Sequence, residues 1–184
     1  MESVAVFGGS FNPPHAAHVL AAAWVLASEP VDRVLVVPTF RHPFAKALAP
    51  YEHRLRMCEL AVGWLPRVEV SRVEEELGGE SRTLLTLEHL AKQHPDWRMR
   101  LVMGADLVLE ADKWFRFDRV QELAPPLVLG RAGFDAEGAP SAVLPAISST
   151  DVRARIAAGD WTALHALVPR LVVEYIRTHG LYAA

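Results

Sequence analysis

The sequence predicts an α/β protein built on a doubly wound parallel sheet of about five or six strands, with helices on both faces. Three observations predict it. Short apolar runs rich in Val and Leu alternate with longer segments of helical spacing along the chain. Glycines close the first and fourth of these runs, at Gly8-Gly9 and at Gly104. The length of 184 residues, 51% of them hydrophobic, suits a single core of ordinary size, so residues 1–184 read as one domain.

Val4 to Phe7 is a β-prone run with no polar face, as expected of a strand buried on both sides. His15 to Ser28 is rich in Ala, Leu and Val and reads as a helix that ends before Pro30. Val34 to Val37 is the second strand, closed by Pro38, and Thr39 to Pro50 is a loop. Tyr51 to Trp64 has helical spacing, Val68 to Val70 is the third strand, and Thr83 to Gln93 is a helix with Leu84, Leu87 and Leu90 near one face. Arg100 to Met103 is the fourth strand. Leu107 to Leu123 is helical with a break near 111–113, and Leu127 to Leu129 is the fifth strand. Phe134 to Pro140 is a polar turn region. Ser149 to Ala157 reads as a helix with Ser149 as its N-cap, and Val168 to Thr178 as the last helix. The alternation is that of a Rossmann-like fold, in which ligands bind beyond the carboxyl ends of the strands.

The formal net charge of −3 provides no global basic field for nucleic acid. The one cysteine, Cys58, excludes an internal disulfide. The first residues carry neither a basic region nor a long apolar one, and no stretch approaches the roughly 20 apolar residues of a membrane span. A cytoplasmic enzyme or binding domain is the expectation.

Two loops carry the chemistry. In the first, GGSFNPPHAAH, Gly8 and Gly9 let the backbone turn and approach a ligand, and Asn12-Pro13-Pro14 fixes an extended turn. His15 and His18 then project from one face of the first helical turn, beside free N–H groups and the positive end of the helix dipole. Imidazoles there can donate hydrogen bonds to phosphate oxygens, more strongly if protonated. A plain turn and a surface or capping histidine pair are the bland readings. A metal site is the third, without a carboxylate or Cys partner at suggestive spacing. In the second loop, Ile147-Ser148-Ser149-Thr150 leads into a helix carrying Arg153, so hydroxyls, helix N–H groups and a guanidinium can face one anion. A simple cap with Arg153 solvated is the alternative.

The first string resembles the H-x-x-H signature of a nucleotidyltransferase superfamily, in the form found in nicotinate and nicotinamide mononucleotide adenylyltransferases. Ala17 stands where Gly is common. The second resembles the I-S-S-T-x-x-R motif of the same superfamily. Gly104-Ala105-Asp106 with Trp114 is similar to the family's G-x-D…W arrangement, and Ser81-Arg82-Thr83 to its S-Y-T segment with Arg82 in place of Tyr. The tail from Tyr175 to Tyr182 resembles the family's Y-I-x-x-x-G-L-Y, with packing as its expected role.

The resemblance implies an ATP site formed by Gly8, Gly9, Ser10, Phe11, His15, His18, Lys46, Gly104, Asp106, Ile147, Ser149 and Arg153. It implies a mononucleotide site with Asn12, Thr83, Trp114 and Arg131, where Trp114 stacks on the pyridine ring and Arg131 holds the phosphate. His15, His18 and Arg153 are the expected catalytic residues. Lys46 stands in the loop Arg41-His42-Pro43-Phe44-Ala45-Lys46, which departs from the usual P-P-H-K, and Arg41 and His42 are weaker candidates there. Mg²⁺ is expected as a partner of the ATP phosphates, with no metal held mainly by protein. An Arg at position 82 suggests an acidic ring substituent, hence nicotinate over nicotinamide. Other readings are phosphopantetheine as acceptor, a non-catalytic nucleotide sensor, and a metal-binding protein built on His15, His18 and His42. Partners other than ATP and a pyridine mononucleotide are not indicated, and a homo-oligomer is left open.

Overall fold

The computed structural model describes residues 1–42, 47–108, 114–131 and 143–183. β1 (Glu2–Gly9) leads to α1 (Ala16–Ser28), β2 (Arg33–Pro38), α2 (Tyr51–Val62), β3 (Val68–Val70), α3 (Val73–Leu77), α4 (Thr83–Gln93) and β4 (Trp97–Gly104). There follow α5 (Ala105–Val108), α6 (Phe117–Leu123), β5 (Pro126–Arg131), β6 (Val143–Leu144), α7 (Ser149–Ala157), α8 (Trp161–Leu167) and α9 (Arg170–His179).

The strands form one sheet in the order β3-β2-β1-β4-β5-β6, parallel at every pairing. This is the expected doubly wound α/β arrangement. Side chains alternate across it with the two-residue period of a strand. Ala5, Val34, Val36 and Val102 face a core shared with α1, α2, α7, α8 and α9. Val4, Val6, Leu35, Val37, Met99, Leu101 and Met103 face the other core, with α3, α4 and α6. Burial on both sides is why these strands read as unbroken apolar runs, and each fully buried Val contributes about 1.5–3 kcal/mol.

The structure changes several boundaries. β1 and β4 each run to 8 residues, because polar positions at their starts still pair. α9 begins at Arg170, since Pro169 occupies its N-cap. α7 is capped by Ser148, not Ser149: the Ser148 side chain accepts from the Asp151 backbone N–H. Three short elements have no sequence signal. α3 is 5 residues, β6 is 2, and α8 is a 7-residue helix capped by Asp160. The polar turn expected at 134–140 and the break at 111–113 lie outside the described residues. Among the described residues, no helix is long and apolar enough to cross a membrane.

The strand order reverses between β1 and β4. Their carboxyl ends, Gly8-Gly9 and Gly104, therefore open side by side where such sheets bind ligands.

Candidate active site

The wall next to β1 is set by Phe11. Its backbone adopts φ 45°, uncommon for a residue with a side chain, and its ring turns back against Gly9. A Cβ on Gly9 would meet the Phe11 ring at 3.2 Å, a tight contact that would push the ring aside, whereas a Cβ on Gly8 would meet nothing within 4 Å. Phe11 also packs edge-on against the His18 imidazole, with ring centroids 4.9 Å apart. The His15 and His18 rings stack at 3.8 Å. His15 is the N-cap of α1, and its backbone N–H donates to Nδ1 of His18 at 3.1 Å. Nδ1 is then an acceptor, and the proton of the neutral ring sits on Nε2 as a donor.

The second loop is tied directly to the first. Ser149 Oγ donates to the Pro13 carbonyl at 2.9 Å, and Arg153 donates from one guanidinium nitrogen to the Asn12 carbonyl at 2.8 Å. The other terminal nitrogen of Arg153 reaches Thr150 Oγ1 at 3.3 Å. Freed from the capping role, Ser149 acts as the clasp between the loops. Asn12 is itself buried. Its Oδ1 accepts from the Ala49 N–H at 3.0 Å and from the Tyr182 hydroxyl at 2.9 Å. Tyr182 thus does more than pack, and burial raises its phenol above the ordinary range.

The opposite wall comes from the other face of the sheet. A Cβ on Gly104 would stand 2.4 Å from Oδ1 of Asp106, so only glycine lets that carboxylate fold back over the end of β4. Trp114 packs edge-on against Phe117, with centroids 5.8 Å apart. Arg82 lies over Phe115 at 4.9 Å, and Thr83 opens α4 beside it.

Two buried charged residues beside these walls have no expected role. Arg54, 1% exposed, donates to the carbonyls of Ala49 at 2.9 Å, Ser10 at 3.0 Å and Phe40 at 3.4 Å. Burial lowers its pKa from the usual guanidinium value. Glu74 accepts from the Phe40 N–H at 2.9 Å and from Thr86 Oγ1 at 3.1 Å. Burial raises its carboxyl above the ordinary value, and bonds from Ser81, Phe40 and Thr86 pull it back. Ser81 Oγ accepts from the N–H groups of Phe40 and Arg41. Arg54 has a readable signal, since helical spacing puts it on one face with the buried Met57, Cys58 and Ala61. Glu74 has none, standing in a row with Glu75 and Glu76.

The two walls enclose one cavity of about 860 Å³. Gly8, Gly9, Ser10, Phe11, Asn12, His15 and His18 line its first wall, and Ile147, Ser149 and Arg153 adjoin them. Thr83, Gly104, Asp106 and Trp114 line the second, together with His42, Arg82, Phe115 and Glu74. The imidazoles and the guanidinium therefore share one cleft. Arg131 lies in the last position of β5, and its side chain is not described. Lys46 lies outside the described residues. Among those described, no group of three or more His, Cys, Asp or Glu could hold a metal ion.

A doubly wound sheet with two helix-opening loops at its switch point has the architecture of a nucleotide-binding domain. The model of the cytidylyltransferase-like family matches residues 6–155. A protein of Anaeromyxobacter sp. (strain K), named probable nicotinate-nucleotide adenylyltransferase, is 51% identical over 97% of this chain and 96% of its own length. A Thermus thermophilus protein of the same name is 37% identical over 97% of this chain and 98% of its own length. Among solved structures, the Plasmodium falciparum nicotinic acid mononucleotide adenylyltransferase complexed with NaAD has the same fold, with a TM-score of 0.85 at 18% identity over 99% of this chain and 98% of that one. The chain belongs to the cytidylyltransferase-like nucleotidyltransferases and, within them, to the nicotinate-nucleotide adenylyltransferase family.

Proposed function

We propose that the protein transfers the adenylyl group of ATP to nicotinate mononucleotide, giving deamido-NAD and pyrophosphate. The observation that carries this reading is the two-sided cavity. One wall offers imidazole, hydroxyl and guanidinium donors, and the other a flat aromatic surface beside Thr83. The names of the Anaeromyxobacter and Thermus relatives support the same reaction.

The mononucleotide phosphate oxygen attacks the α-phosphorus of ATP in line. A new P–O bond forms as the bond to pyrophosphate breaks. The attacking oxygen is already anionic, so no protein nucleophile is needed, and Cys58 is buried with its thiol raised by desolvation. Catalysis is alignment and charge stabilisation. His15 and His18 meet the ATP phosphates, with Nε2–H of His18 donating as charge accumulates, and Arg153 steadies the leaving pyrophosphate. Lys46 adds to that end, and Arg131 holds the mononucleotide phosphate. Gly8, Gly9, Ser10, Phe11, Gly104, Asp106, Ile147 and Ser149 shape the ATP side. Asn12 supports the acceptor side, with Oδ1 committed to the scaffold and Nδ2 left for a ligand. Mg²⁺ accompanying ATP would be held by substrate oxygens and water and would neutralise phosphate charge. The chain acts as one domain in the cytoplasm, with neither nucleic acid nor membrane as a partner.

The test is pyrophosphate release from ATP with nicotinate mononucleotide, nicotinamide mononucleotide and phosphopantetheine in parallel. The nicotinate compound is expected to be used best, and preference for phosphopantetheine would overturn the reading. Trp114→Ala is expected to raise the acceptor KM about tenfold, since stacking is worth about 0.5–1.5 kcal/mol beyond area burial. The KM for ATP should stay near its original value. The reverse pattern would move Trp114 to the ATP side.

A further inference from the structure

Among the described residues lining the cavity, two are permanent cations, and they stand on opposite faces of the sheet. Arg153 belongs to the phosphate wall and is bonded to the Asn12 carbonyl. Arg82 stands immediately before α4, at the aromatic end with Thr83, Trp114 and Phe115. On the function proposed above the phosphates meet their donors on the other wall, which leaves this guanidinium, paired with Glu80, to face a different anionic group.

The restraints on Arg82 are light. Its guanidinium lies over Phe115 at 4.9 Å, and its ion pair with Glu80, at 3.2 Å, is of the exposed kind, with the Glu80 side chain 60% accessible. Two carboxylates, Glu74 and Asp106, also line the cavity. Without Arg82 their charge would repel an acidic ring. With it, a carboxylate on the ring meets a planar fork that can donate two parallel hydrogen bonds. A carboxamide presents one acceptor and an NH₂ group that a guanidinium cannot use.

Resting on the function proposed above, we infer that Arg82 is a specificity-determining residue that selects the acidic pyridine mononucleotide over its amide. The test compares kcat/KM for the two mononucleotides in the wild type, Arg82→Gln, Arg82→Lys and Glu80→Gln, with thermal unfolding as a check on the fold. The acid-to-amide ratio is expected to fall about tenfold in R82Q, through the acid's KM, and to be better kept in R82K. In E80Q, which releases the guanidinium from its competitor, the ratio holds or rises. In the wild type it falls as salt is added.

An R82Q ratio within about twofold of wild type overturns the inference, as does an E80Q ratio that drops as far as that of R82Q. If R82Q fails to fold, R82K and E80Q carry the same decision. A wild type that uses both acceptors equally overturns the inference and leaves adenylyl transfer standing. A wild type that uses neither overturns both.

Discussion

His18→Ala lowers turnover about a hundredfold, equivalent to roughly 3 kcal/mol of lost transition-state stabilisation for one pre-aimed donor. The effect belongs to kcat, because the donor matters most as charge develops on the phosphates. The fold survives. The substitution removes the acceptor of the His15 N–H, a capping interaction worth about 1 kcal/mol, so the melting temperature falls only a few degrees. His18→Gln, whose amide can reach toward the Nε2 position, should keep more activity than His18→Asn. Steady-state pyrophosphate release beside a melting curve decides the matter. Near-normal kcat in the alanine variant would remove His18 from the mechanism.

Arg54→Met is expected to act through stability. It strips the carbonyls of Ser10, Phe40 and Ala49 of one shared donor in a buried place. Hydrogen bonds to a charged donor contribute about 1.5–3 kcal/mol each, while relief from burying the cation offsets part of the loss. A net cost of about 3 kcal/mol lowers Tm by roughly 6–12 °C for a chain of this size. Activity falls as well, since Ser10 belongs to the loop that carries the histidines. A Tm within about 2 °C of wild type would show that the three carbonyls find other donors.

The contrast between these two arginine and histidine positions shows what is legible in the sequence. The sheet can be read because strands buried on both faces leave bare apolar runs, and because Gly8-Gly9 and Gly104 punctuate the carboxyl edge. The order β3-β2-β1-β4 follows from no residue in particular. It follows from right-handed crossovers and from which helices cover which face. The wall carrying His15, His18 and Arg153 is legible because GGSFNPPHAAH and ISSTDVR are each local. What stays hidden is non-local. Ser149 looks like a cap because hydroxyls at helix starts usually are, yet Ser148 caps and Ser149 reaches Pro13, 136 residues away. Glu74 gains its role from the backbone of Phe40 and the hydroxyl of Thr86, which folding alone brings to it. α3, β6 and α8 are too short to show a period.

The bond between Tyr182 and Asn12 spans 170 residues and has a consequence for synthesis. A chain still on the ribosome can wind α1 early, yet its histidine-bearing loop lacks this anchor until residue 182 has left the exit tunnel. The clasp from Ser149 and Arg153 also arrives late. A chain cut before Tyr182 would still carry His15, His18, Ser149 and Arg153, yet the loop between β1 and α1 would lack this anchor on Asn12.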